Sequence, residues 1–224
     1  MESAFTFVNE YGKYCVPRSS LHRPTAKRIL NGGIHEPLTI EFIRDNYSGG
    51  DIIHAGAYFG DMLPALSQIV GDLGKVWAFE PNRENYLCAT KTIKLNRLRN
   101  VHLMNVGLGS YSDNLFLVVR DLAGKALGGG SRIWNSQPMV ESFSQLQEFK
   151  MKRIDDLIPL EREISIIHLD VEGYEFLAIL GSMETIERNY PILILEGDHN
   201  SEWADLGYRF LKKVHNNSVL VWGS

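Results

Sequence analysis

From Asp51 onward, short apolar runs of strand length alternate with segments whose apolar residues recur every three or four positions. Asp51 to His54 reads as a strand, and Met62 to Val70 as a helix burying Leu63, Leu66, Ile69 and Val70. Pro64 suits the first turn of that helix, where no intrahelical N–H bond is lost. Lys75 to Phe79 is the next strand. Asn82 then caps a helix running to about Asn96, and Val101 to Val106 is a third strand. The middle of the chain breaks this alternation. Asn114 to Val119 and Gln147 to Arg153 read as strands around Gly124 to Ser142, a stretch rich in Gly, Ser, Asn and Pro, and a turn follows near Asp155. Order then returns with a strand at Ser165 to Asp170. A helix at Glu175 to Glu187 carries Phe176, Leu180, Met183 and Ile186 on one face, and Pro191 to Glu196 is a strand. Tyr208 to Val214 and Ser218 to Trp222, joined at Asn216-Asn217, predict a terminal β-hairpin. The residues before Asp51 are mixed and cut into short pieces by turn signals at Asn31-Gly32-Gly33 and His35-Glu36-Pro37.

Alternating strands and helices predict a doubly wound α/β fold: a mostly parallel sheet covered on both faces, with a closing antiparallel hairpin. The expected organisation is one domain over 1–224. Residues 1–50 form an N-terminal cap segment, and residues 111–150 an inserted hairpin or lid.

Bulk properties narrow the partners. A 224-residue chain with 44% apolar residues can bury a core without disulfides, and Cys15 and Cys88 are its only cysteines. A net charge of −4 offers no electrostatic reason to expect nucleic acid. Met1 to Phe5 lacks the basic and long apolar parts of an export signal, and no apolar run approaches the length that spans a bilayer. The sequence therefore predicts a cytoplasmic protein with no membrane partner, and leaves assembly into a homo-oligomer open.

The chemistry is densest after the first strand. Gly56 and Gly60 lie at its carboxyl end, where the missing Cβ lets backbone bend and approach a ligand. About twenty residues past Gly60, the next strand ends in Glu80, placed to accept both hydroxyls of a ribose. That pair points to a nucleoside-containing cofactor.

The order Gly49-Gly50-Asp51-Ile52-Ile53, Ala55-Gly56-Ala57, Phe59-Gly60, then Val76-Trp77-Ala78-Phe79-Glu80-Pro81-Asn82, Asn105-Val106-Gly107-Leu108-Gly109 and Ile166-Ile167-His168-Leu169-Asp170-Val171-Glu172-Gly173-Tyr174-Glu175 resembles the FkbM family. Tyr11 to Pro17 and Gly32 to Pro37 resemble that family's entry segment, so the likeness runs over about residues 12 to 223. The resemblance implies a Rossmann-like methyltransferase sheet, S-adenosyl-L-methionine as cofactor, and O-methylation of a hydroxyl on a small molecule, sugar or glycan. By that resemblance Gly56, Ala57 and Gly60 would cradle the amino-acid end of the cofactor, Glu80 would hold the ribose, and Asn105 would lie beside the adenine. His54 and Tyr58 depart from the pattern, standing where the family usually has Asp and Asn. Neutral His54 keeps an acceptor, whereas protonated His54 would repel a cationic cofactor. Asp61, at the same turn, can offset the lost charge or cap the next helix. Tyr58 would pack over the cofactor or take part of its place.

Proton transfer from an acceptor hydroxyl needs a base beyond the carboxyl ends of the strands. Asp170 and Glu172 follow the fourth parallel strand, and His199 follows the fifth with a suitable ordinary pKa. Glu172 can equally cap the following helix. His168 shares a strand face with Asp170, and no metal site is expected of it. Arg132 and Trp134, in the irregular middle segment, suit stacking on a sugar. Two rivals remain open: a fold-retaining binding module, motivated by His54 and Tyr58, and a nicotinamide-dependent oxidoreductase. The closing hairpin and the absence of a third glycine at the turn speak against the second.

Overall fold

The computed structural model describes residues 4–134, 143–199 and 203–223. The part of the glycine-rich segment at 135–142 lies outside the described residues, so the expected lid is described only on either side of it.

The chain opens with an antiparallel hairpin, β1 (Ala4–Asn9) and β2 (Gly12–Pro17), whose turn is closed by the Asn9 side chain accepting the amides of Tyr11 and Gly12. Helices α1 (Pro24–Leu30) and α2 (Pro37–Asn46) follow, each begun by a proline whose fixed φ favours the first helical turn. The sequence pattern resolved only turns here, because these helices are short and one flank of each is polar.

The alternating region forms β3 (Asp51–Ala55), α3 (Leu63–Val70), β4 (Val76–Phe79), α4 (Arg83–Asn96) and β5 (Val101–Met104). Asn82 caps α4 by accepting the amides of Glu84 and Asn85, as its position predicted. The third strand ends sooner than expected. Residues 107–108 turn away as β6 (Gly107–Leu108) to join β7 (Asp113–Asp121), β8 (Arg132–Trp134) and β9 (Phe143–Lys152) in a separate sheet of order β6-β9-β7-β8. The main sheet resumes with β10 (Ile164–Leu169), α5 (Glu175–Leu180), α6 (Met183–Asn189), β11 (Ile192–Glu196), β12 (Tyr208–Val214) and β13 (Asn217–Trp222).

One expectation is corrected: the helix at 175–187 is two helices. At the break, Gly181 packs so close to the Gly109 carbonyl that a Cβ there would lie 2.0 Å from it. Phe176 and Leu180 are exposed, while Ala178, Ile179, Thr185 and Ile186 face the core.

The main sheet runs β12-β13-β11-β10-β3-β4-β5, with β13 antiparallel to both neighbours and the other pairings parallel. Alternate residues of each strand feed opposite layers. Ile52 and Ile166 pack with Ile40, Ile43, Leu63 and Leu66 on the α2–α3 side, while Ile53 and Ile167 pack with Ile179 and Ile186 on the other. The amino ends are tied by buried Asp51, which accepts the Lys75 amide and the Trp77 indole and pairs with Arg162. From β3 the chain winds out to β4 and β5, then returns through the second sheet to β10 on the other side. The point of reversal therefore lies between β3 and β10, and a crevice opens at their carboxyl ends. Among the described residues no helix is long and apolar enough to cross a membrane.

Candidate functional site

The crevice is built around the turn after β3. Gly56 adopts φ +82°, and a Cβ on it would lie 1.9 Å from the Asp170 carbonyl oxygen, so only glycine lets β3 and β10 meet here. The Gly56 and Ala57 amides both donate to the Phe79 carbonyl, binding the turn to the end of β4. Tyr58 follows in a left-handed conformation, φ +46°, and its amide donates to Glu80 Oε2 at 2.8 Å. Glu80 Oε1 accepts the Asn82 amide at 2.8 Å. Two adjoining turns thus converge on one buried carboxyl group, and burial pushes its pKa up to about 8.

Two connected spaces open from this turn. A narrow slot of about 40 Å³ runs between Phe79, Glu80, Leu108 and Val171, roofed by Ser131 and Ile133. A polar cavity of about 200 Å³ lies on the other side of Gly56, among Arg23, His35, His54, Asp61 and Glu196. Asp170, Glu172 and Gly129 border both.

His54 and His168 occupy matching positions on β3 and β10, with rings stacked at 5.0 Å and 6° and their Nδ1 atoms sharing a hydrogen bond of 2.9 Å. Burial, then the neighbouring His168 and His35, holds His54 well below the usual histidine range, so it is neutral near pH 7. Its Nε2 is buried without a partner, and so is that of His168. Burial also lowers His168, against the pull of Glu36.

The surrounding acids are shifted the other way. Burial raises Asp61 to about 6 although His35 Nε2 stands 3.8 Å from its carboxyl. Asp170 is raised well above the carboxylate range by burial and by a hydrogen-bonded partner carboxyl, Glu196. Glu172 is raised by burial and then by Glu196.

The candidates read from sequence separate into distinct groups. His54, Gly56, Tyr58, Asp61, Asp170 and Glu172 line the polar cavity, and Glu80 walls the slot. Ala57 and Gly60 shape the turn, with Gly60 at φ +84° donating its amide to the Ala57 carbonyl. Tyr58 packs its ring on Phe59 in a cluster with Tyr14 and Ile29, under the Gly128 turn. The Asn105 side chain donates to the Glu80 and Pro81 carbonyls, which locks the β4 turn. His199 lies in a neighbouring open groove, its Nε2 on the Glu196 carbonyl oxygen at 2.8 Å. Arg23, His35 and Glu36 line the cavity as well; His35 and Glu36 stand out in the sequence only as part of a turn and of the entry-segment likeness, and Arg23 carries no role there. Among the described residues no group of three His, Cys, Asp or Glu is arranged to hold a metal ion.

The Methyltransferase FkbM domain model matches residues 54–215. Of solved structures, methyltransferase FkbM from Methylobacillus flagellatus KT is 18% identical with a TM-score of 0.50, covering 78% of this chain and 44% of its own. The chain thus spans less than half the length of that protein. A SAM dependent methyltransferase from Aquifex aeolicus is 15% identical with a TM-score of 0.45, covering 84% of this chain and 88% of its own. Fibrillarin from Aeropyrum pernix, with natively bound S-adenosyl-L-methionine, is 13% identical with a TM-score of 0.45, covering 98% and 82%. At 18% identity, the likeness to methyltransferase FkbM from Methylobacillus flagellatus KT speaks for the fold alone. No curated protein matches the chain in sequence.

Proposed function

The chain belongs to the FkbM methyltransferase family, and from that premise we propose that it moves a methyl group from S-adenosylmethionine to a hydroxyl of a small molecule, sugar or glycan. The observation that carries this reading is Glu80, a buried carboxyl on the wall of an apolar slot and one residue-turn away from Gly56. Oε1 accepts the Asn82 amide and the Asn85 side chain, while Oε2 accepts only the Tyr58 amide and keeps a lone pair for a ribose hydroxyl. The apolar slot suits an adenine ring, once Ser131 and Ile133 draw back from its roof.

The polar cavity suits the amino-acid end. Asp61 and Glu196 offer negative charge to a cation, and His54, being neutral, does not repel one. The donor set therefore fits the cofactor despite its departures at 54 and 58. When bound, S-adenosylmethionine supplies a methyl group on positively charged sulfur.

The protein's part is then alignment and one proton. Asp170 borders both spaces, and once ionised its carboxylate, which burial makes strongly basic, takes a proton from an acceptor hydroxyl. Glu196 shares a hydrogen bond with it and orients it. Gly129, Ser131 and Ile133 line the slot.

The test is thermal unfolding with and without S-adenosylhomocysteine. Ligand at 100 times its dissociation constant adds about 2.7 kcal/mol, or roughly 5–10 °C in a domain this size. Absence of a shift at millimolar ligand favours the non-catalytic reading. Asp170→Asn should bind that ligand normally while turnover of labelled methyl falls about 10²–10⁴-fold.

A further inference from the structure

Arg23, half-buried at the entry to α1, lines the polar cavity but not the apolar slot, nor the open groove beside His199. Among the described residues it is the only arginine or lysine on a wall that also carries the carboxyl groups of Glu36, Asp61, Asp170, Glu172 and Glu196.

The side chain is held from above by the turn Gly128-Gly129-Gly130. A Cβ on Gly128 would lie 3.2 Å from Arg23 Cγ, and one on Gly130 would lie 2.7 Å from Arg23 Nη2. Glycine at both positions lets backbone rest on the stem and on the guanidinium. The turn is itself anchored. The Gly128 carbonyl accepts the Asn85 side chain at 3.2 Å and Ser131 Oγ at 2.8 Å, and the Asn82 side chain donates to Ser131 Oγ at 3.0 Å. Asn82 and Asn85 also donate to Glu80 Oε1, so Arg23 is held in register with the carboxyl assigned to the ribose. Among the described residues no carboxylate is ion-paired with Arg23, and its guanidinium donates to no other atom. Glu172 Oε1 stands beside the same glycine, 3.5 Å from the Gly130 Cβ position.

An S-adenosyl cofactor ends in a zwitterion, with an ammonium and a carboxylate on one carbon. Acids on the cavity wall suit the ammonium and repel the carboxylate. That carboxylate needs a cation in the same space, and a guanidinium fork matches it with two parallel hydrogen bonds. We infer that Arg23 binds the carboxylate of the cofactor's amino-acid end, an assignment that rests on the methyltransferase reading of this crevice. Arg23 lies outside residues 54–215, which the family model matches. The contact is therefore made by the N-terminal segment.

The experiment titrates the full chain with S-adenosylhomocysteine and with its decarboxylated analogue, which keeps the adenosine, the thioether and the amine. In a cavity walled by acids alone, removing a carboxylate tightens binding. With Arg23 as its partner the sign reverses: S-adenosylhomocysteine should bind at least about tenfold tighter than the analogue and lose that margin at high salt. Arg23→Gln should weaken S-adenosylhomocysteine by a similar factor and leave the analogue almost unchanged, which erases the preference. Arg23→Lys, which keeps the charge without the fork, should retain part of it. An equal or reversed preference in the parent, a preference that survives Arg23→Gln, or an equal loss of both ligands in both variants overturns the assignment and leaves the cofactor site standing. Binding of neither ligand to the parent overturns the methyltransferase reading, and the role of Arg23 with it.

Discussion

Replacing Glu80 with glutamine tests the site at its centre. In the folded protein Oε2 accepts the Tyr58 amide and Oε1 the Asn82 amide, both at 2.8 Å, so both oxygens already serve the fold. Glutamine offers one oxygen and one NH₂, and whichever way the amide is turned, one buried N–H faces another donor. An unsatisfied buried donor costs about 1–3 kcal/mol. At about 2–4 °C per kcal/mol for a domain of this size, the unfolding midpoint should drop by roughly 2–12 °C. Binding suffers separately. Above pH 8, where Glu80 is ionised, the charged oxygen offered to a ribose hydroxyl becomes a neutral donor, removing a charge-assisted bond worth about 1.5–3 kcal/mol. The dissociation constant for S-adenosylhomocysteine should rise roughly 10- to 150-fold. Isothermal titration well below the lowered midpoint separates the two effects, since both proteins are then folded. A variant that melts lower but binds within twofold of the parent would refute the ribose assignment and leave Glu80 as a purely structural tie.

Three further outcomes follow from particular contacts. Gly56→Ala puts a side chain into a φ of +82° and a Cβ 1.9 Å from the Asp170 carbonyl oxygen, so it should lose about 2–5 kcal/mol in chemical denaturation; a loss under about 1 kcal/mol would show that β3 and β10 can part freely. Thr92 Oγ1 accepts the Cys15 amide and donates to the Phe59 carbonyl, both at 2.9 Å. Thr92→Val strands both buried groups and should cost about 2–5 kcal/mol, while Thr92→Ser, which keeps the hydroxyl, should cost much less; equal losses would discount the bridge. His54 is held below its unfolded value, so the folded state binds fewer protons than the unfolded one. Its contribution is complete above about pH 6.5 and is lost as pH falls towards the folded value, by up to about 1.4 kcal/mol per pH unit. His54→Asn should flatten the stability profile between pH 6.5 and 5, and parallel profiles for the two proteins would contradict the assigned cause.

Local chemistry made much of this protein legible before any coordinates. The strand–turn–helix at 51–70, the Asn82 cap, the closing hairpin and the glycine–acid pair Gly56 and Glu80 depend on neighbours within a few residues, so periodicity and turn preference suffice to find them. Motif resemblance likewise reached the family, because its residues cluster at strand ends. What the sequence alone could not decide are contacts made across the chain. The helix expected at 175–187 breaks because Gly181 meets Gly109, which is remote in sequence and invisible to a periodic pattern. His54 read as a missing charge. Its partner His168 stands 114 positions away, and only the pairing of β3 with β10 stacks the two rings in a dry layer where both lose their protons. The sequence placed Asn105 beside the adenine by resemblance alone; that its amide donates to the Glu80 and Pro81 carbonyls is decided by the fold. Arg23, His35 and Glu36 enter the cavity from the residues before Asp51, where turn signals and a likeness to the family's entry segment were legible but the chemistry of these side chains was not. Identity of side chains is a property of the sequence; their exposure, protonation and company are set by burial, and burial exists only once distant segments have packed.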